Sequence, residues 1–415
     1  MGTLTDLTNG YWNGTIAPEH EHPFAPRFAL EEVAPGVAFV SAFANVTAFA
    51  TDDGLVLADT GSQVVASVVH ELVRGWSARP AHTAVYTHGH IDHVFGTALF
   101  EAEHRPKSAP AFRVVAHEAV PTRFDRYQLT EGYNACINSR QFQTRVEWPK
   151  SFRYPDETFR SQRTLEIGGR TFELHHARGE TDDHTWVWVP DARTLCTGDL
   201  FIWASPNAGN PQKVQRYPRE WAQALRAMAL HEPEVMCPGH GPPIVGAARV
   251  KQALEETADF LESIVEQTLA LMNQGATLDE VLAGVHAPEA LLARPYLRPI
   301  YDEPEFIVRN VWRQFGGWFD GDPSHLKPAR AGSLAAEISR LAGGARPLAE
   351  RAAALDDDGE HALACHLAEF AARAAPNDKY VVRVRREIYE RRAERETSLM
   401  ARGIYRAAAG RRPGS

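Results

Sequence analysis

The chain has 415 residues, and its 53 aspartate and glutamate residues outnumber its 44 lysine and arginine residues, which gives a formal net charge of −9 at pH 7. A chain of this length usually forms more than one hydrophobic core, so we expect two domains or more. No concentrated basic block precedes the C-terminal helices, which argues against a nucleic-acid partner. No window of about 18 uninterrupted apolar residues occurs, so no transmembrane segment and no membrane partner are predicted.

Cysteine usage and the N-terminal composition predict the compartment. The cysteines are widely separated and lack CxxC spacing, so neither a thiolate metal site nor a disulfide framework is expected. Residues 1–23 contain acidic and polar side chains and no apolar signal-peptide core. We therefore expect a cytoplasmic protein.

The chain order of apolar and turn-forming residues predicts three regions. Residues 1–30 are rich in proline, glycine and polar residues, which predicts an irregular N-terminal arm. Residues 31–250 alternate short apolar runs with amphipathic segments, as in an α/β layer architecture. Strands are predicted at 37–41, 47–50, 54–58, 83–87, 163–167, 171–175, 186–189, 194–197 and 235–237, and helices at 64–74 and 218–230.

After residue 250 the pattern becomes helical. Residues 251–273 are amphipathic and end before Gly275, and Thr277 is a candidate cap for a helix over 278–285. Alanine, leucine, arginine and glutamate dominate from Ser333 onward. Further helices are predicted at 306–315, 333–342, 346–356, 359–373 and 377–394, with a last one ending near residue 409. Residues 251–415 are therefore expected to form an all-α domain.

Residues 87–93 read Thr-His-Gly-His-Ile-Asp-His and directly follow a β-prone stretch. This run places His88, His90, Asp92 and His93 close together, and all four side chains can bind a divalent cation. Imidazole and carboxylate ligands suit zinc, manganese and iron better than magnesium. The run therefore predicts an open transition-metal site on a loop at a sheet edge.

Three more possible ligands stand at predicted strand ends. Asp59 follows the strand at 54–58, Asp199 follows the strand at 194–197, and His240 follows the strand at 235–237. If two similar βα halves face each other, these strand ends and the histidine run meet at one edge.

With these positions, the N-terminal two-thirds of the chain resembles the metallo-β-lactamase superfamily. The matching residues are Asp59, the run at 88–93, Gly-Asp at 198–199 and Pro-Gly-His-Gly at 238–241. The segment Tyr-Asp-Glu-Pro-Glu-Phe-Ile-Val-Arg-Asn-Val-Trp-Arg-Gln-Phe-Gly-Gly-Trp-Phe-Asp-Gly-Asp-Pro at 301–323 resembles the dimerisation segment of the alkylsulfatases of that superfamily. The later helices, including Glu-Thr-Ser-Leu-Met-Ala-Arg at 396–402, are similar to their helical dimerisation domain. The resemblance implies an αββα sandwich followed by a helical domain that forms a homodimer.

The resemblance also implies a ligand set for two metal ions. His88, His90 and Glu180 would hold the first ion, Asp92, His93 and His240 the second, and Asp199 would bridge them. Glu180 lies in Arg-Gly-Glu-Thr at 178–181, where most of the superfamily has a histidine and the alkylsulfatases have glutamate. His184 is the alternative third ligand of the first ion.

The implied activity is that of a hydrolase that cleaves an ester, an alkyl sulfate ester in the first place. A carboxylic ester, lactone or phosphoester hydrolase, and an iron oxidoreductase of the persulfide-dioxygenase kind, are the alternatives. Zinc is the expected cofactor, two ions per chain, with manganese or iron as alternatives, and a hydroxide between them would be the nucleophile. Asp92 and Asp59 are the expected catalytic residues, and Asp59 would act by orienting a ligand histidine. An anionic substrate would bind to a rim of polar residues, for which the candidates are Asn207, Asn210, Lys213, Arg216 and Arg313.

Overall fold

The computed structural model describes residues 3–103 and 111–410. The chain divides into two compact units, of which the first comprises Met1–Glu131 and Trp148–Gly317, and the second Gly132–Glu147 and Trp318–Ser415. In the described part of the chain, no helix is both long enough and apolar enough to cross a bilayer.

Two β-sheets form the centre of the first unit. The first sheet has the order β1-β2-β3-β4-β5-β6-β7, antiparallel as far as β4 and parallel from β4 to β7. Its strands are β1 (Ala29–Ala34), β2 (Val37–Ser41), β3 (Val46–Thr51), β4 (Gly54–Ala58), β5 (Ala81–Val85), β6 (Arg113–His117) and β7 (Glu157–Phe159).

The second sheet has the order β13-β12-β11-β10-β9-β8, and only the β11–β12 pair in it is parallel. Its strands are β8 (Gln162–Ile167), β9 (Arg170–His176), β10 (Thr185–Val189), β11 (Thr194–Ile202), β12 (Val235–His240) and β13 (Ile244–Val245).

Helices cover the outer faces of both sheets. The helices up to Gly316 are α1 (Leu4–Trp12), α2 (Ala66–Trp76), α3 (Ile91–Val94), α4 (Thr97–Ala102), α5 (Ala119–Leu129), α6 (Glu131–Phe142), α7 (Pro218–Ala229), α8 (Ala247–Asn273), α9 (Leu278–Gly284), α10 (Glu289–Leu292) and α11 (Pro304–Gly316), and α6 belongs to the second unit from Gly132 onward.

Three apolar clusters account for this layered arrangement. Phe39 of β2 and Leu174 of β9 belong to the cluster between the two sheets. Val69 of α2 packs in a second cluster on the outer face of the first sheet. Trp221 of α7 and Leu261 of α8 pack in a third cluster on the outer face of the second sheet. The first unit is thus an αββα sandwich, which confirms the predicted fold class.

The predicted boundary at residue 250 does not separate compact units. Leu261 of α8 and Ile307 of α11 are fully buried in the same cluster as Trp221. Residues 251–317 are therefore part of the sandwich unit, because the outer face of its second sheet needs these helices as cover.

The prediction of an irregular arm over residues 1–30 is wrong for Leu4–Trp12, which form α1. The Thr3 side chain accepts the Asp6 amide, and the Asp6 carboxylate accepts the Thr3 amide at 2.7 Å. This reciprocal capping box starts the helix.

The second unit is helical from Pro323 onward, as predicted for that part of the chain. Leu348 and Ala352, together with Ala368 and Ile388, belong to its apolar core. Its helices, besides α6, are α12 (Pro323–Leu326), α13 (Ala331–Leu341), α14 (Ala345–Asp357), α15 (His361–Ala374), α16 (Lys379–Arg395) and α17 (Leu399–Gly410).

The strand order brings the possible ligands to one edge of the sandwich. β4 ends directly before Asp59, and its parallel neighbour β5 leads into the histidine run at 87–93. In the second sheet, β11 carries Asp199 and its parallel neighbour β12 ends at His240. Parallel neighbours end at the same sheet edge, so four distant parts of the sequence meet there.

Candidate metal centre

Seven side chains form two adjoining groups at this edge. In each group, one nitrogen or carboxylate oxygen per residue lies within 4.8 Å of those of the other members. The groups are, first, His88, His90, Glu180 and Asp199 and, second, Asp92, His93 and His240.

Asp199 lies between the two groups. Its Oδ2 atom is 3.6 Å from Nε2 of His88 in the first group. Its Oδ1 atom is 3.3 Å from Nε2 of His93 and 3.5 Å from Nε2 of His240 in the second group. The two oxygens of one carboxylate therefore face different groups, which is the arrangement that a bridging ligand needs.

The donor set fits divalent cations. Nε2 of His93, Oε2 of Glu180 and Oδ1 of Asp199 are buried and make no hydrogen bond of regular geometry with the residues that the structure describes. Buried polar atoms normally have a partner. Imidazole nitrogens and carboxylate oxygens are ligands of zinc and of neighbouring transition metals. Cations among these atoms would supply the missing partners.

The outward-facing nitrogens of the histidines are held by the protein. Nδ1 of His93 lies 2.7 Å from Oδ2 of Asp59, whose oxygens also accept the amide and the hydroxyl of Thr87 at 2.7 Å each. Nδ1 of His240 contacts the carbonyl oxygen of Phe43. Such contacts fix the ring orientation, so that Nε2 points into the group. Asp59 therefore contacts a candidate ligand from behind, and its role in orienting that histidine stays a prediction.

Burial and neighbouring charges set the protonation of these groups. Burial, followed by the nearby His93 and His90, holds the pKa of His88 well below its usual range, so this imidazole stays neutral, as a metal ligand must. Burial opposes ionisation of Asp199, but His93 and His240 outweigh it and hold the pKa of Asp199 well below its usual range. The site therefore contains an ionised carboxylate between the two groups and a neutral imidazole.

Glu180, rather than His184, joins the first group. Oε2 of Glu180 lies 3.6 Å from Nδ1 of His90. The His184 ring stacks on His88 with centroids 4.4 Å apart, and its Nε2 atom lies 3.1 Å from the backbone nitrogen of Asp199. His184 thus packs behind the candidate ligands and supports the part of β11 that carries Asp199.

Two residues predicted to bind substrate instead contact Glu180. Nδ2 of Asn207 donates to Oε1 of Glu180, and Nη1 of Arg216 lies 3.1 Å from the same oxygen. Arg216 and Glu180 are each 2% exposed, so this ion pair is buried. The structure gives Asn207 and Arg216 the role of holding a candidate ligand.

Of the other predicted rim residues, Asn210 is buried and Lys213 is partly buried, whereas Arg313 is exposed. Nδ2 of Asn210 is buried and makes no hydrogen bond with the residues that the structure describes. Burial and the charge of Arg216 lower the pKa of Lys213 to about 8, and the carboxylates of Glu180 and Asp92 act on it in the opposite direction. Arg313 is exposed and its guanidinium contacts Gln215 at 3.1 Å and Asn310 at 3.2 Å. Arg313 supports the 215–216 segment, and no contact with the ligand groups is found among the described residues.

Two family models match separate parts of the chain. A model of the metallo-beta-lactamase superfamily matches residues 42–240. A model of alkyl sulfatase dimerisation matches residues 277–413. Residues 42–240 are thus similar to a metallo-beta-lactamase domain, and residues 277–413 to an alkylsulfatase dimerisation domain.

The similar proteins are alkylsulfatases by name. A linear primary-alkylsulfatase of a Pseudomonas strain is 28% identical over 85% of this chain and 71% of its own length. An (R)-specific secondary-alkylsulfatase of a Pseudomonas species is 24% identical over 88% of this chain and 59% of its own length. These relatives confirm the predicted resemblance and the predicted class, an alkylsulfatase-like hydrolase.

A solved structure supports the fold. The stereoselective inverting sec-alkylsulfatase from a Pseudomonas species superposes with a TM-score of 0.82 at 22% identity, over 92% of this chain. This chain spans 65% of the length of that protein.

Two further residues near the site were not identified from sequence motifs. Oδ2 of Asp302 accepts the backbone amides of Gly209 and Asn210 at 2.6 and 3.1 Å. Burial, and then the charges of Glu180, Asp92 and Asp199, raise the pKa of Tyr301 well above its usual range, so its hydroxyl remains a hydrogen-bond donor. Both residues lie within the matched dimerisation segment, so sequence similarity directed attention to an interface instead of to the site.

The N-terminal region also reaches this centre. The ring of Phe24 lies 4.9 Å from that of His240 and 5.1 Å from that of Tyr301. Phe24 is 5% exposed. The segment after α1 therefore covers one side of the second group, and its composition contained no signal for this contact.

Proposed function

We propose that this protein is a dinuclear metal hydrolase that cleaves alkyl sulfate esters, with zinc as its first metal. The observation that carries the proposal is the position of Asp199, whose two oxygens face two complete ligand groups. The alkylsulfatase names of the relatives support the sulfate ester as substrate class.

The residues that would hold the ions are His88, His90 and Glu180 on one side, Asp92, His93 and His240 on the other, and Asp199 between them. When bound, two such cations act as Lewis acids and lower the pKa of a water molecule toward neutrality. The reaction adds water across the ester, so that an alcohol and hydrogen sulfate leave. A serine or cysteine nucleophile is not required.

Among the carboxylates of the site, Asp92 is the one most open to solvent. Its side chain is 23% exposed, against 7% for Asp199 and 3% for Glu180. Its Oδ2 atom is 3.6 Å from Nε2 of His240, so it lies at the mouth of the second group. We infer that Asp92 both binds a cation and accepts a proton at its second oxygen from the incoming water.

Three side chains suit the sulfate group. Asn210 offers a buried amide, Lys213 an ammonium group and Tyr301 a hydroxyl that stays protonated. Hydrogen bonds to a charged group are stronger than neutral ones, and a sulfate ester carries its charge on oxygens that accept such bonds. The Tyr301 hydroxyl can also donate to the ester oxygen as the bond breaks.

A substrate panel tests this proposal. The purified full chain, loaded with zinc, is assayed on primary and secondary alkyl sulfates, on a phosphoester and on a carboxylic ester and a lactone of the same chain length. We expect turnover of a sulfate ester that is lost on chelation and restored by zinc. Preferred hydrolysis of the phosphoester, carboxylic ester or lactone would show that the proposed substrate class is wrong. Stoichiometric iron without zinc would show that the proposed metal is wrong.

We also propose that the protein forms a homodimer through its C-terminal helices. The dimerisation model matches residues 277–413. Trp318, Phe319 and Leu326 in that region are 69%, 41% and 53% exposed, and a second copy would cover such apolar side chains. Sedimentation at micromolar concentration should give twice the 46.0 kDa chain mass, and a monomer would contradict the proposal.

A further inference from the structure

A buried ion pair lies beneath the loop that carries His88 and His90. Nε of Arg123, on α5, donates to Oδ2 of Asp183 at 2.7 Å. The side chains of Arg123 and Asp183 are 2% and 0% exposed. Arg123 also contacts Asp182, but the Asp182 side chain is 46% exposed. The contact between Arg123 and Asp183 is therefore shielded from solvent.

The same carboxylate oxygen holds the backbone of the ligand loop. Oδ2 of Asp183 accepts the amide of Gly89 at 3.0 Å. Gly89 stands between His88 and His90, so this one hydrogen bond restrains the peptide that joins two candidate ligands. The charge of Arg123 keeps Asp183 ionised, because burial alone would raise the pKa of this carboxyl and Arg123 instead lowers it.

The packing around Gly89 is tight. A Cβ atom at this position would lie 2.8 Å from Cδ of Arg123 and 3.1 Å from Oδ2 of Asp183. Only glycine allows the loop to approach the ion pair this closely. The loop therefore packs directly against Arg123 and Asp183, so its position depends on the positions of these two side chains.

The two ligand groups have separate supports. Asp59 holds His93 of the second group at 2.7 Å, whereas Asp183 and Arg123 hold the loop of His88 and His90 in the first. We propose that Asp183 and Arg123 are positioning residues that set the affinity of the first group for its cation without affecting the second group. This inference rests on the proposed function, in which both groups bind cations.

Zinc titration of the metal-free full chain against a chromophoric chelator tests the inference, since it resolves two binding steps without any turnover. The step that belongs to each group is assigned with His90→Ala and His240→Ala. Asp183→Ala should weaken the His90 step by about 10- to 100-fold and leave the His240 step within about threefold, as is usual for residues that orient metal ligands. The effect of Asp183→Ala on zinc affinity should be non-additive with that of His90→Ala and additive with that of His240→Ala.

Two matched variants control for general effects. Asp182→Ala removes the exposed partner of Arg123 but no contact with Gly89, and it should leave both steps within about threefold of wild type. Asp183→Asn keeps an oxygen that can accept from both Gly89 and Arg123, and it should recover most of the lost affinity. Amide hydrogen exchange at Gly89 in the metal-free protein should be faster in Asp183→Ala than in Asp183→Asn.

Circular dichroism of each metal-free variant establishes that it is folded, and Arg123→Lys replaces Asp183→Ala if the latter does not fold. Equal weakening of both steps, or an unchanged His90 step, would overturn the inference. A wild-type protein that binds no zinc and hydrolyses no ester would instead overturn the proposed function, so the two failures are distinguishable.

Discussion

Nδ1 of His93 lies 2.7 Å from Oδ2 of Asp59, while Nε2 of the same ring lies 3.3 Å from Oδ1 of Asp199. One imidazole thus connects a positioning carboxylate at the end of β4 with the carboxylate that faces both ligand groups. This ring therefore connects the end of β4 in the first sheet with β11 in the second sheet. The site therefore depends on how the two sheets pack, as well as on the ligands themselves.

Asp59→Ala should weaken zinc binding by the second group by about 10- to 100-fold, because His93 loses the partner that orients it. The measurement is chelator competition with the metal-free protein. Asp59→Asn keeps one acceptor oxygen and should show a smaller loss. Unchanged affinity in Asp59→Ala would contradict the positioning role.

Arg216→Ala should lower the free energy of unfolding of the metal-free protein by about 1–3 kcal/mol, since it leaves buried oxygens of Glu180 without the guanidinium group that contacts them. Urea unfolding measures this. The exposed Arg313, substituted by alanine, is the control and should change stability by less than about 1 kcal/mol. Similar losses of stability in both variants would show that the contact between Arg216 and Glu180 stabilises the fold no more than a surface arginine does.

Asp302→Asn tests a buried carboxyl by its pH dependence. Burial raises the pKa of Asp302 to about 6, above the ordinary value of 3.8 for an aspartate. The folded state therefore binds this proton more tightly than the unfolded state, and the carboxylate destabilises the fold once the pH exceeds both values. The asparagine keeps an acceptor for Gly209 and Asn210 and carries no charge.

The free energy of unfolding of Asp302→Asn, minus that of wild type, should rise by about 2–3 kcal/mol between pH 4 and pH 7. Denaturant unfolding at several pH values gives this difference directly. A difference that is independent of pH would mean that Asp302 titrates normally.

Tyr301→Phe should lower kcat/KM for an alkyl sulfate by about 10- to 100-fold, as expected when a hydrogen bond to a charged group is lost in the transition state. Zinc content should not change. Tyr133→Phe, at a position that is 62% exposed, is the matched control. Equal activity of the two variants would remove Tyr301 from the site.

The candidate ligands could be predicted because each lies in a short local pattern. His88 to His93 form one run, Asp199 lies within the apolar strand β11, and His240 is the last residue of β12. The strands and helices that were predicted lie within about five residues of observed ones, because burial leaves a local periodicity, but no element was predicted for β1, β6, β7 or α3 to α6. Helix α1 was missed because its Thr3–Asp6 capping box stands among polar residues that suggest a loop.

The supporting residues could not be predicted, because their contacts join distant parts of the chain. Arg123 meets Asp183 across 60 positions, and Asp302 meets Gly209 across 93. A buried arginine on an amphipathic helix has no pattern that distinguishes it from a surface arginine. Asn207 and Arg216 were predicted to bind substrate, and their contacts with Glu180 could not be predicted because they depend on the loop geometry.

Metal stoichiometry in the full chain and in two ligand variants tests the central claim most directly. Inductively coupled plasma mass spectrometry after dialysis against limiting zinc should find two ions per wild-type chain. It should find one ion in His90→Ala and one in His240→Ala, because each variant disables one group. A wild-type chain with no bound metal, or two ions retained in both variants, would contradict the account.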